Sequence, residues 1–184
     1  MSDVFGLQGK PALVVGGGSG IGRATALLLA QVGADVAVAD LDMARAEQVR
    51  DEVAESGVKA FAFAGDVTTR EGANDVVDRA HAALGGLHAV VNIVGIASWG
   101  ALLDTELATL ELDLRNNLTH HLLGCQAVAR HMIEDRRGGR LALVTSVSGL
   151  YGAPNHAAYG AAKAGAMALG RTLATEWAPY GIRV

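Results

Sequence analysis

The chain predicts an α/β fold: one domain built on a doubly wound, mostly parallel sheet. Three observations carry this. Five short, nearly all-apolar runs alternate with five longer runs of helical spacing. The short runs lack the in–out alternation of a sheet with one wet face, so helices must cover both sides. The first run also feeds directly into a glycine-rich turn that opens a helix. The 184 residues suffice for one such domain and its core.

In chain order, strands are expected at residues 11–16 (PALVVG), 35–40 (DVAVAD), 60–65 (AFAFAG), 87–92 (LHAVVN) and 140–146 (RLALVTS). Helices are expected at 21–32, 43–56 and 70–84, in one long stretch from Leu107 to Arg136, and from Ala157 to Ala178. Residues 181–184 (GIRV) read as the opening of a sixth strand. The crossovers should be right-handed.

Composition narrows the function classes. With 51% apolar and 18% charged residues, 24 glycines and 3 prolines, neither a disordered chain nor a collagen-like one fits. A net charge of −4 speaks against a nucleic-acid partner. The one cysteine, Cys125, leaves no intramolecular disulfide framework or multi-cysteine zinc site, and packs better as a small hydrophobe than as a nucleophile. The N-terminus lacks a basic stretch leading into an apolar one, and no apolar run reaches the ~18 residues of a membrane span. A soluble, cytoplasmic protein without a metal or membrane partner is expected.

The turn at residues 16–22 is Gly-Gly-Gly-Ser-Gly-Ile-Gly, with G-x-x-x-G-x-G spacing on Gly16, Gly20 and Gly22. Glycines allow tight turns and close approach of the backbone to a pyrophosphate, while the helix N-terminus offers free N–H groups. Gly16, Gly18, Ser19, Gly20, Ile21 and Gly22 are therefore the candidate phosphate cradle. An NTPase P-loop would continue with Lys-Ser/Thr; here Arg23-Ala24 follow. Asp40 ends the second strand 18 residues after Gly22, near the position of an acid that accepts ribose hydroxyls and repels a 2′-phosphate. Leu41 follows it rather than a basic residue, which favours NAD over NADP; Arg23 and Arg45 read as solvated helix positions.

Tyr159 and Lys163 stand four apart, on one helical face. A phenol titrating near ~10 needs a nearby positive charge to act as a base at neutrality. Lysine is rare here, 3 against 12 arginines, so one at this position goes against the chain's general choice. Ser146 lies thirteen residues before Tyr159, at the carboxyl end of the preceding strand, where open α/β sheets place ligand-facing groups.

These residues together resemble the classical short-chain dehydrogenase/reductase family over essentially the whole chain, C-terminally short. The shared features are the glycine loop, Asp40, Asp66-Val67, Asn92 with Gly95, Asn117-Leu118-Thr119, Ser146, Tyr159 and Lys163. The resemblance implies a Rossmann-like NAD(P)-binding domain in which Tyr159 is the catalytic acid or base. It further implies that Lys163 lowers the Tyr159 pKa and holds the nicotinamide ribose, that Ser146 polarises the substrate oxygen and that Asn117 holds a relay water. Asp66 and Val67 would contact adenine, and Asn92 would flank the cofactor. Three departures stand out. Val15 replaces the usual threonine, Ile93-Val94 replace two small or polar residues between Asn92 and Gly95, and the family's substrate-covering elements would lie beyond Val184.

Trp99, Leu102, Leu150 and Tyr151, from the loops after the fourth and fifth strands, would give an apolar mouth without a cation, suited to an uncharged secondary alcohol or ketone. His156 is a candidate at the edge of that mouth. His81, His88 and His131 read as surface or core residues, as do His120 and His121, which should diverge on a helix. The small residues of the Tyr159 helix, together with the resemblance, imply a homo-oligomer through the 107–136 and 157–178 helices; packing against the chain's own sheet is the alternative. The leading expectation is an NAD-dependent alcohol/ketone oxidoreductase. The alternative is a nucleotide-binding module or inactive fragment without turnover.

Overall fold

A computed structural model describes residues 3–184. Six strands form one parallel sheet: β1 (Pro11–Val15), β2 (Asp35–Asp40), β3 (Ala60–Ala64), β4 (Ala89–Asn92), β5 (Gly139–Leu143) and β6 (Ile182–Arg183), in the order β3-β2-β1-β4-β5-β6. Helices α1 (Gly20–Gln31), α2 (Met43–Ala54), α3 (Arg70–Leu84), α4 (Leu107–Leu114), α5 (His120–Glu134) and α6 (Ala157–Trp177) make the crossovers. The expected single α/β domain with a doubly wound sheet is what forms.

Apolar residues on both strand faces explain this architecture. Leu13, Val15, Ala37, Ala39, Val90 and Leu141 bury one face together with Val76, Val77, Leu123, Val128 and Met132 of α3 and α5. Ala12, Val14, Val36 and Val38 bury the other against Ala26, Ala30, Ala46, Val49 and Val53 of α1 and α2. Helix ends are set by local chemistry. Asp42 caps α2 by accepting from the Ala44 N–H at 2.9 Å, and Thr69 caps α3 through the Gly72 N–H at 3.1 Å. Gly85, at φ 72°, closes α3 in the left-handed region.

Strand order reverses direction between β1 and β4, the switch point at which such sheets open a crevice beyond their carboxyl ends. Register aligns Ala39, Val15, Asn92 and Leu143 in one transverse row. The candidate site residues lie on this row or just past it.

Most elements match the expected ones to within two residues at either end, and two differ by more. The helix expected from Leu107 to Arg136 is interrupted by a π-helical turn at Arg115–Thr119. There the Asn117 side-chain amide donates to the Asp113 carbonyl at 3.0 Å, supplying a partner to a carbonyl at the wider turn. The fifth strand starts one residue earlier and ends at Leu143 rather than Ser146. Beyond it, the Val144 carbonyl accepts from Lys163 Nζ at 3.0 Å, so the chain turns toward α6 and leaves Ser146 on a loop.

The glycines of α6 serve contacts within the chain. A Cβ at Gly160 would stand 2.9 Å from the Ser148 carbonyl oxygen, and one at Gly165 would stand 2.9 Å from the Leu118 side chain. Ala157, Ala161, Ala164 and Ala168 of the same helix remain exposed. No helix among the described residues is long and apolar enough to cross a membrane.

At the sheet edge Ile182 is 1% exposed and packs into the α3/α5 side of the core. Ile182→Ala is expected to lower unfolding free energy by about 2–5 kcal/mol in urea titration. A loss under about 0.5 kcal/mol would mean that β6 is not docked.

Candidate active site

The glycine loop is packed to its limit. Gly16 (φ 80°) and Gly20 (φ 51°) occupy the left-handed region. A Cβ on Gly22 would collide with the Gly16 carbonyl, so the first turn of α1 presses directly on the loop. The N–H groups of Gly16 and Gly17 donate to the Ala39 carbonyl at 2.8 and 2.9 Å, and that of Gly18 donates to Asp40 Oδ2 at 2.9 Å. Unlike Asp42 and Thr69 at α2 and α3, the Ser19 side chain makes no cap on α1. First-turn N–H groups beside exposed Ser19, Gly20 and Ile21 are thus left for an anion. The cradle fits a dinucleotide pyrophosphate.

Asp40 accepts from Gly18 and, through Oδ1, from the Asp42 N–H at 3.2 Å. Leu41 beside it is exposed. Arg23 pairs with Glu52, while Arg45 lies 3.4 Å from Asp42, with its Cβ close against Gly18. Asp66 is held by the Thr68 N–H and hydroxyl, at 2.9 and 2.6 Å, with Val67 buried behind it. The bulky Val94 fits because Gly16 has no side chain: a Cβ there would meet Val94 Cγ2 at 3.0 Å. Ile93 packs into the α1/α2 side of the core, and Val15 is likewise buried.

A second cluster forms past β4 and β5. Lys163 is 2% exposed, and burial pushes its ammonium below its ordinary value. Its Nζ is 5.7 Å from the Tyr159 ring centroid. Gly95 fits where a Cβ would stand 2.9 Å from Asn117 Oδ1 and 3.2 Å from Lys163 Nζ, which brings these three residues together. Asn117 Nδ2 donates to the carbonyls of Ile96 (2.7 Å) and Asp113 (3.0 Å), leaving its buried Oδ1 without a partner. Ser146 caps the turn Val147–Gly149, its Oγ accepting from the Ser148 N–H at 3.2 Å. That turn packs against α6, because a Cβ at Gly149 would stand 2.8 Å from Ala164 N. Asn92 is buried with its Oδ1 unpaired.

At the mouth, Trp99, Leu150 and Tyr151 are exposed. His156 is 9% exposed, and its ring contacts those of Trp99 (centroids 3.8 Å apart) and Tyr159 (4.8 Å).

The sequence did not reveal the buried Asp113, which accepts from the Ser98 hydroxyl at 3.1 Å, because nothing in a helical pattern flags a carboxylate turned inward. His120 and His121 also correct the expectation. Instead of diverging, both rings are buried, with centroids 4.0 Å apart at the start of α5 just after the π turn. Burial, then the Lys163 charge, lowers His120 to about 4. Burial, then His120 and Lys163, lowers His121 to about 2, so both stay neutral. Cys125 is buried and its thiol is pushed up to about 12, in keeping with a packing role. No group of three or more metal-ligating side chains occurs among the described residues.

The short chain dehydrogenase family model matches residues 10–184. The chain belongs to that family. It is 38% identical over 185 residues to a 2,5-dichloro-2,5-cyclohexadiene-1,4-diol dehydrogenase of Sphingobium indicum, covering 100% of this chain and 72% of that one. It is 36% identical over 203 residues to a cyclohexanol dehydrogenase of a Rhodococcus species, covering 100% of this chain and 74% of the other. Among solved structures, an NAD+-bound xylitol dehydrogenase superposes with a TM-score of 0.93 at 35% identity, over 97% of this chain and 70% of that one. As a short-chain dehydrogenase, the protein belongs to a family of oxidoreductases that use nicotinamide cofactors.

The lowered Lys163 pKa makes a prediction with a definite sign. Between the lowered value and 10.5, the unfolded chain holds this proton while the folded chain has lost it, so stability rises with pH across that interval. Urea unfolding should show this rise, and Lys163→Met should flatten it. Equal pH slopes in the two proteins would contradict the assignment.

Proposed function

We propose that the protein is an NAD-dependent oxidoreductase that interconverts a secondary alcohol and its ketone, with Tyr159 as general acid/base. The observation that carries this is the gathering of Tyr159, Lys163, Asn117 and Gly95 beyond β4 and β5, on the same sheet edge as the glycine cradle. NAD supplies the hydride acceptor or donor when bound. The chain's own residues do the rest.

Tyr159 takes the hydroxyl proton from the alcohol, or returns it to the ketone oxygen. The desolvated ammonium of Lys163 stabilises the resulting phenolate and reaches for the nicotinamide ribose. Ser146, whose oxygen already accepts from Ser148, keeps its hydroxyl proton for the substrate oxygen. Asn117 donates through its side-chain amide to two carbonyls and offers Oδ1 to a relay water beside Lys163. The cradle of Gly16, Gly18, Ser19, Gly20, Ile21 and Gly22 takes the pyrophosphate. Asp40 and Leu41 border the adenosine ribose, where the Asp40 carboxylate disfavours a 2′-phosphate and Arg45 stays near Asp42. Asp66 and Val67 bound the adenine, and Asn92 and Gly95 bound the nicotinamide side.

The apolar mouth of Trp99, Leu150 and Tyr151, with His156 beside it, suits an uncharged cyclic secondary alcohol. The names of the cyclohexanol and cyclohexadiene-diol relatives support that class. The exposed alanines of α6 and the exposed Leu107 and Leu112 of α4 support self-association through these helices into a homo-oligomer.

Tyr159→Phe is expected to lower cyclohexanol turnover by about 100-fold or more while NADH binding, followed by cofactor fluorescence, stays within a few-fold. Turnover close to that of the unsubstituted protein would overturn the mechanism. NADH binding without turnover by the unsubstituted protein would instead support a nucleotide-binding module.

A further inference from the structure

The geometry points to His156 as a positioning residue that holds the three segments of the substrate mouth in register, with Trp99 as its outer plate; this rests on the dehydrogenase function proposed above. The three segments are the loop after β4, the loop after β5 and the start of α6. His156 touches each of them. Its ring stacks on Trp99, with centroids 3.8 Å apart and planes 28° apart. Its Nδ1 lies 3.4 Å from the Ser148 hydroxyl, on the turn capped by Ser146. It also meets the Tyr159 ring, with centroids 4.8 Å apart and planes tilted by 34°. His156 is the N-cap residue of α6, so Tyr159, three residues on, lies above it on the same face.

The Trp99 loop has no regular structure, yet three consecutive residues pin it. The Ser98 hydroxyl donates to Asp113, Trp99 stacks on His156, and the Gly100 N–H donates to the Asn155 carbonyl at 3.0 Å. Asn155 turns the chain at a φ of 62°, in the left-handed region that asparagine adopts more readily than most non-glycine residues. Trp99 itself is 72% exposed, so its stack on His156 is not the by-product of a buried core. His156 Nε2 is buried without a hydrogen-bond partner, an arrangement that costs free energy. Simple packing would be served better by an apolar ring. The contact with His156 bears on the Tyr159 ring, and Lys163 Nζ stands 5.7 Å from the centroid of the same ring. Small displacements of a reacting group cost rate steeply, so a residue that fixes the phenol acts on turnover more than on cofactor binding.

The test uses His156→Ala, which removes the stack, and His156→Phe, which retains a ring. Both are made in a Trp177→Phe background, where Trp99 is the only indole. His156→Ala should lower kcat for cyclohexanol by about tenfold or more with NADH affinity unchanged, and His156→Phe should restore most of it. Trp99 emission should change in intensity or wavelength in His156→Ala, because the ring stacked on the indole is gone. Unchanged kcat, unchanged Trp99 emission, or a loss of NADH affinity that matches the loss of kcat would each overturn the assignment. The emission measurement needs no turnover. A protein that oxidises no secondary alcohol would therefore refute the dehydrogenase function, while Trp99 emission still decides whether His156 holds the loop.

Discussion

The structure depends on one close approach: the first turn of α1 rests on the Gly16 carbonyl with no room for a methyl group at Gly22. That contact fixes where the helix begins and aims its unpaired N–H groups over the carboxyl edge of β1. Asp40 makes the approach durable, since its carboxylate takes the Gly18 N–H while the Ala39 carbonyl takes the two before it. An acid at the end of one strand thus fastens the loop that follows another. In the proposed function the same carboxylate would border the adenosine ribose, which would couple loop order and cofactor choice through a single side chain.

A second constraint operates on the other side of the switch point. Lys163 is carried on α6, but its ammonium is anchored to the carbonyl of Val144, just past β5, and stands close to Asn117 across Gly95. Burying a cation is costly, and the local arrangement answers with the Val144 carbonyl oxygen in place of a carboxylate. A carboxylate would neutralise the charge, which the Val144 carbonyl does not. The neutral His120 and His121, lowered in part by Lys163, show how far that charge shapes its surroundings.

Much of this was legible in the sequence, and the remainder was hidden for identifiable physical reasons. Apolar runs located five strands, and α3 spans the expected residues because Thr69 and Gly85 mark its ends. The glycine spacing, Asp40 and the Tyr159–Lys163 pair marked the sheet edge at which they gather. Helical spacing did not show the π turn, because α4, the π turn and α5 follow one another without a break and the compensating bond comes from the Asn117 side chain. Ser146 read as part of a strand because its neighbours are apolar, whereas the sheet ends where Val144 turns to Lys163. The contact of His120 with His121 follows from tertiary packing, which adjacency on an ideal helix does not anticipate.

The account is tested most directly by the choice between two cofactors that differ by one phosphate. With Asp40 fastened to the glycine loop, the proposed binding mode would accept a ribose with free hydroxyls and would set a carboxylate against a 2′-phosphate. Fluorescence titration of the unmodified protein should show NADH binding at least about tenfold more tightly than NADPH, a difference of about 1.4 kcal/mol. Equal affinities, or tighter binding of NADPH, would contradict the role given to Asp40 and with it the way the two halves of the site are joined.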